Sequence, residues 1–223
     1  MAAKCGLLLV IVGFLTQIYN VHPFPESTTL SPEKCAELHD IDKMIPLNDI
    51  LNDILAANHY DPEVKEAFNH LASPQFKALT ERLEGREEYK SFMKFCKDNN
   101  LRIPEAFTFL KGVLPALVKQ SDRESFPGVK PEEIVGGIHG LIMRIFDSRL
   151  PMKEIRTCFN ERIACDPKFK EKVENLRSLE FKKLLNKLRE TQEYKEVVDD
   201  LEEYKIYFNV YLNVMLSYFD INQ

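Results

Sequence analysis

The residues able to do chemistry are few and far apart. The five histidines, His22, His39, His59, His70 and His139, form no H-E-x-x-H pair, and the cysteines form no C-x-x-C, so the ligand spacing of a zinc site is missing. No G-x-S-x-G elbow occurs, and Ser73 and Ser178 read as helix N-caps rather than nucleophiles. Gly136-Gly-Ile-His-Gly140 lacks the G-x-G-x-x-G spacing of a phosphate loop, and its glycines read as a place where helices pack closely. His139 could act as a base beside Asp147, yet nothing marks a nucleophile for it. The paired carboxylates Glu87-Glu88 and Glu202-Glu203 would suit general acid–base work, but at helix starts and solvent faces they are ordinary charge placement. The sequence therefore predicts no catalytic residue, no metal site and no cofactor. It does not read as an enzyme.

The bulk properties point the same way. The chain has 30 basic and 35 acidic side chains, a net charge of −5, and is 44% hydrophobic, enough for a packed core. Neutralising phosphates needs a concentrated basic excess, and none occurs, so nucleic acid is excluded as a partner. The lysines between Lys168 and Lys195 are interleaved with glutamates, as on a solvated face. Met1–Lys4 is basic, Cys5–Leu15 is apolar and prolines follow at Pro23 and Pro25. That layout predicts a secretory signal peptide over residues 1–21, cut between Thr16 and His22, and hence a secreted protein. Cys35, Cys96, Cys158 and Cys165 then allow two disulfides in three pairings, of which at least one is expected. Cys158 and Cys165 are seven residues apart, roughly 10 Å along a helix, which exceeds disulfide reach. No N-x-[ST] sequon occurs, so no N-linked glycan is expected.

The elements are punctuated by proline. Ser31-Pro, Asp61-Pro, Ser73-Pro and Asp166-Pro put a capping side chain before a proline suited to the first helical turn. Pro46, Pro104, Pro131 and Pro151 mark further starts. Helices are expected near 32–44, 46–58, 62–72, 74–84, 87–98, 104–119, 131–149, 151–164, 167–177, 179–189, 191–202 and 204–220, with a linker near 121–130. Apolar residues recur at helical spacing, as in Phe76, Leu79 and Leu83, and no stretch sustains strand alternation. The fold class is all-α. A shift of 105 residues aligns Pro46–Leu114 with Pro151–Phe219 without a gap. Asp61-Pro falls on Asp166-Pro, Ser73-x-x-Phe76-Lys-x-Leu79 on Ser178-x-x-Phe181-Lys-x-Leu184, and Glu88-Tyr-Lys90 on Glu193-Tyr-Lys195. A shared register of caps, aromatics and charges indicates duplication. Residues 22–223 are therefore expected to form a single domain of two pseudo-symmetric repeats, about 32–120 and 131–220.

Ile45-Pro-Leu-Asn-Asp-Ile-Leu51, Asp61-Pro-Glu-Val64, Ser73-Pro-Gln-Phe-Lys-Ala-Leu79, Glu88-Tyr-Lys90 and Gly136-Gly-Ile-His-Gly-Leu-Ile142 resemble the insect allergen repeat family, which holds group 1 cockroach allergens and insect midgut microvillar proteins. The resemblance spans about residues 35–220 and is closest to the mosquito midgut type. It implies a globular capsule of about a dozen short helices around an apolar cavity that carries fatty acids or phospholipids. The implied role is digestive or lipid-transporting, in the gut lumen or at the microvillar surface, by a monomer. The alternative is a membrane-active protein that exchanges lipid with bilayers and lyses cells or enveloped particles. Candidate cavity-lining residues are Ile54, Phe68, Leu71, Phe76, Leu79, Leu83, Phe92, Phe107, Leu110, Ile138, Ile142, Phe159, Phe169, Leu176, Phe181, Leu184, Leu188, Tyr211, Leu212, Met215 and Phe219. Helix 204–220 is apolar over more than half its circumference. Such a helix is buried on two sides, as a central helix of a solid core or as a wall with lipid on its inner side.

Overall fold

The computed structural model describes residues 45–101 and 136–221, with residues 103–105, 108, 112, 118, 126 and 129–134 between them. The expected signal peptide, helix 32–44, Cys35, Phe107, Leu110 and most of the 104–119 helix and the linker lie outside the described residues. Four helices come first: α1 Leu47–Tyr60, α2 Pro62–Leu71, α3 Pro74–Gly85 and α4 Glu87–Asp98. A short 3-10 turn at Pro131–Glu133 precedes α5, Gly137–Arg144, which runs on as a π-helical turn, Ile145–Arg149. Then follow α6 Met152–Cys165, α7 Pro167–Arg177, α8 Leu179–Glu190, α9 Gln192–Glu203 and α10 Phe208–Tyr218. The described residues contain no strand.

The first turns are held by the expected caps. Asp61 Oδ1 accepts the N–H groups of Glu63 and Val64 at 2.9 and 3.3 Å, and Asp166 Oδ1 accepts that of Phe169 at 2.9 Å. Ser73 and Ser178 accept from Phe76 and Phe181 at 3.2 and 3.1 Å. These side chains satisfy amides that no helical carbonyl can reach.

Helix boundaries recur at the 105-residue spacing. α1, α3 and α4 start and end 105 residues before α6, α8 and α9, while α7 outruns the counterpart of α2 by one residue. Backbone detail repeats as well. Pro46 and Pro151 share φ near −77° and −75°, and the turns after α4 and α9 pass through left-handed Asn100 and Lys205, with φ of 52° and 57°. The buried Leu101 and Ile206 follow those turns. α3 packs on α9 and α4 on α8, two contacts that the same shift exchanges. α5 rests on α1 and α2, and α10 rests on α9.

Two elements depart from expectation. The 131–149 helix is broken, because Gly136 and Gly137 take φ of 86° and 60°, a conformation that side chains with a Cβ resist. The Gly137 N–H donates to Asp61 Oδ2 at 2.9 Å, and a Cβ there would meet Glu63 Oε1 at 1.8 Å. These glycines serve a turn and a close approach to α2, not only helix packing. The last helix starts at Phe208 rather than 204, since left-handed Lys205 turns the chain so that Ile206 is buried before α10 begins.

Candidate functional site

The apolar faces of the helices meet in one contiguous core. Of the expected lining residues, Ile54, Phe68, Leu71, Phe76, Leu83, Phe92, Ile138, Ile142, Phe159, Phe169, Leu176, Phe181, Leu188, Met215 and Phe219 are buried in it. Leu79, Leu184, Tyr211 and Leu212 are partly buried against it. Phe159 sits edge-on to Phe169 at 5.4 Å between centroids and 4.7 Å from Phe219, while Phe181 is 5.6 Å from Phe92. Phe76 and Phe181, equivalent under the repeat, are 2% and 4% exposed.

The accessible apolar surface lies elsewhere. α10 contains no charged residue, and it buries Met215 and Leu216 while leaving Val210 56% and Val214 59% exposed, with Tyr207 just before it at 43%. Leu47 and Leu51 on α1, Met143 on α5 and Leu179 on α8 are exposed too. None of these accessible residues is among the expected lining residues. Register gives the face of a helix and not whether another element covers it.

Hydrogen bonds, more than buried side chains, fix the middle of α10. The Tyr194 hydroxyl donates to Asn209 Oδ1 at 2.6 Å, Arg189 Nη2 donates to Asn213 Oδ1 at 2.9 Å, and His139 Nδ1 shares a hydrogen bond with the Tyr211 hydroxyl at 3.1 Å. No residue from Phe208 to Val214 is buried. Burial pushes the Tyr194 phenol up from its ordinary pKa, and the charge and hydrogen bond of Arg189 pull it partly back. Burial, with a smaller contribution from Tyr207, pushes the Tyr211 phenol up too. Both phenols are therefore neutral hydrogen-bonding groups at physiological pH. His139, considered as a base beside Asp147, is turned to Tyr211 instead, and Asp147 is exposed in the π turn.

Most polar groups inside the fold are committed to structure. The fully buried Asp53 carboxylate accepts from Arg149 Nε and Nη2 at 2.6 and 2.9 Å, and Arg144 Nε lies 3.2 Å away. Arg162 Nε reaches Asp166 at 3.3 Å, so Asp166 ties its own cap to the helix before it. His70 Nε2 lies 2.7 Å from Asp200 and its ring stacks on Tyr204 at 4.1 Å, joining α2 to the end of α9. Glu87 and Glu88 pair with Lys90 and Arg86. Among the described residues no three His, Cys, Asp or Glu side chains are grouped to hold a metal ion. No described helix is long and apolar enough to cross a membrane. Cys165 is disulfide-bonded, while Cys96 and Cys158 carry thiols. Burial pushes the Cys96 thiol up to about 12.

Residues 33–212 match a protein family described as insect allergen related repeat, nitrile-specifier detoxification. No curated protein matches the chain.

Proposed function

The chain belongs to the insect allergen related repeat family, and on that premise we propose that it is a secreted, non-enzymatic lipid carrier of the insect gut. It holds fatty acids or phospholipids in an apolar cavity between its helices, in digestion or lipid transport. The observation that carries this reading is α10: eleven residues without a charge, packed on one side through Met215 and Leu216 and accessible on the other at Val210 and Val214. Leaving such a face in water costs free energy that an acyl chain relieves, at about 0.8 kcal/mol for each CH₂ removed from water. A sixteen-carbon chain contributes on the order of 10 kcal/mol before ordering costs. The disulfide at Cys165 supports an oxidising, extracellular setting.

Native mass spectrometry of the purified protein, followed by solvent extraction, tests the reading. The expected result is co-purified fatty acid or phospholipid, with a lower melting temperature once it is stripped, since a ligand bound only by the folded chain stabilises it. A folded, delipidated chain that takes up no acyl chain at micromolar concentration refutes it. The same accessible stripe supports a second reading, in which the protein passes lipid to or from bilayers and breaks them. Leakage from liposomes, run with stripped and with lipid-loaded protein, separates the two.

A further inference from the structure

Arg189 closes α8 on the side facing α10 and has no acidic partner among the described residues. Among the described residues its Nη2 donates to Asn213 Oδ1 at 2.9 Å, its charge is felt by the Tyr194 phenol, which donates to Asn209, and it forms no ion pair with a carboxylate. The acids at the start of α9 are turned away, since Glu193 pairs with Arg86 and Glu196 with Arg82. The Nε of Arg189 is buried and makes no hydrogen bond. Arg144 and Arg162 also carry a buried N–H without a hydrogen bond, but both lie against a carboxylate, and Arg189 does not. Unmet donors and uncompensated charge both cost free energy. The contrast is in the partner's charge: Arg149 grips Asp53 and Arg162 reaches Asp166. Under the 105-residue shift Arg189 falls on Glu84, so the charge is specific to the second half.

The surroundings suit an anion on an apolar tail. Asn209 and Asn213 are four residues apart and share one face of α10, with Val210 and Val214 beside them forming the accessible apolar row. Tyr194, itself buried, adds a phenol at the same point. We propose that Arg189, with Tyr194, Asn209 and Asn213, is the head-group site for an anionic amphiphile, whose acyl chain lies along the Tyr207, Val210 and Val214 side of α10. The recognised group is an oxyanion, a fatty-acid carboxylate or a lipid phosphate, engaged by the planar guanidinium through charge-assisted hydrogen bonds. The assignment rests on the lipid-carrier reading and adds selectivity for charge to it.

The test compares oleate, oleyl phosphate and uncharged oleyl alcohol by titration of the full-length delipidated protein at pH 8.5, with Arg189→Gln and Arg189→Lys alongside. Circular dichroism and melting temperature establish that each variant is folded. Wild type is expected to bind the anionic probes roughly ten- to hundredfold more tightly than the alcohol, the worth of charge-assisted hydrogen bonds. Arg189→Gln should lose that preference while binding the alcohol unchanged, and Arg189→Lys should keep part of it. Carboxyl-labelled oleate gives a second readout by NMR: its bound carboxyl pKa is expected to rise in Arg189→Gln. Equal binding of oleate and oleyl alcohol by wild type, or an anionic preference that survives in Arg189→Gln, overturns the head-group site and leaves the carrier standing. Displacement of oleate by millimolar inorganic phosphate makes this a free-anion site and overturns it as well. Failure of wild type to bind all three probes defeats the carrier itself, and the head-group site with it.

Discussion

α1–α4 and α6–α9 share the caps Asp61 and Asp166, the caps Ser73 and Ser178, the proline starts at Pro46 and Pro151 and at Pro62 and Pro167, and the left-handed exits at Asn100 and Lys205. They differ where Pro74 falls on Leu179, where Arg86 falls on the capping Thr191, and in the polar groups set among those features. Asp61 caps α2 and also takes the Gly137 N–H, whereas Asp166 caps α7 and takes Arg162 from its own α6. Asp53 is a buried carboxylate gripped by arginine, and its counterpart Cys158 is a half-buried thiol. Glu84 stands opposite Arg189 in the alignment. The two halves agree in most of what fixes the backbone and differ more in what fixes chemistry. Function in this fold is therefore to be sought where the halves disagree.

The comparison breaks most readily at the paired aromatics. Phe76→Ala and Phe181→Ala are each expected to cost about 3–5 kcal/mol in urea unfolding, since both rings are buried in the same core. The two losses should match within about 1 kcal/mol, the scatter expected of equivalent sites. A crystal structure should likewise superpose α1–α4 on α6–α9. Costs differing severalfold, or helices that do not superpose, end the claim of equivalence.

A smaller total but a larger contrast is expected at Asp53 and Cys158. Asp53→Ala leaves the Arg149 charge without its carboxylate and should cost about 3 kcal/mol, whereas Cys158→Ala should cost under about 1 kcal/mol. Similar penalties at the two sites would show that the polar divergence is energetically idle. Ser73→Ala and Ser178→Ala should each cost about 1 kcal/mol, the ordinary worth of an N-cap, and the equality of the pair is the sharper result.

The last test is a pH dependence at Cys96, whose counterpart Leu201 does not titrate. The Cys96 thiol is raised by burial from 9.0 to about 12, so the folded chain holds that proton more tightly than the unfolded one. Its contribution is complete below pH 9.0 and is lost as pH rises towards about 12. Cys96→Ala should flatten that part of the stability curve, while alkylation of the native protein at pH 8.5 should mark Cys158 before Cys96. Equal labelling of the two thiols would contradict the burial of Cys96.

Most helix boundaries were legible because their causes are local: a capping Asp or Ser, a proline after it, and apolar residues at helical spacing. The 105-residue register was legible for the same reason. The break at Gly136 was not, since it answers to Asp61, a residue 76 positions away that accepts the Gly137 N–H. The partnership of Asp53 with Arg149 spans 96 positions and leaves no local trace. α10 was readable as an apolar helix and misread in its start, because Lys205 gives no sign in sequence of its left-handed turn. The idle Nε of Arg189 was hidden among lysines and glutamates that read as an ordinary solvated face.

The crossing of α3 onto α9 and α4 onto α8 also bears on how the chain is made. The ion pair of Arg82 with Glu196 closes a loop of 114 residues, so this part of the core waits on distant chain. A ribosome that has released only α1–α4 has exposed the apolar sides of α3 and α4 with nothing to cover them. Whatever covers them must look like α8 and α9, and in a crowded compartment the second half of another copy does. Slow synthesis, or a cut between the halves, should thus favour exchanged dimers, in which each first half is completed by its neighbour's second.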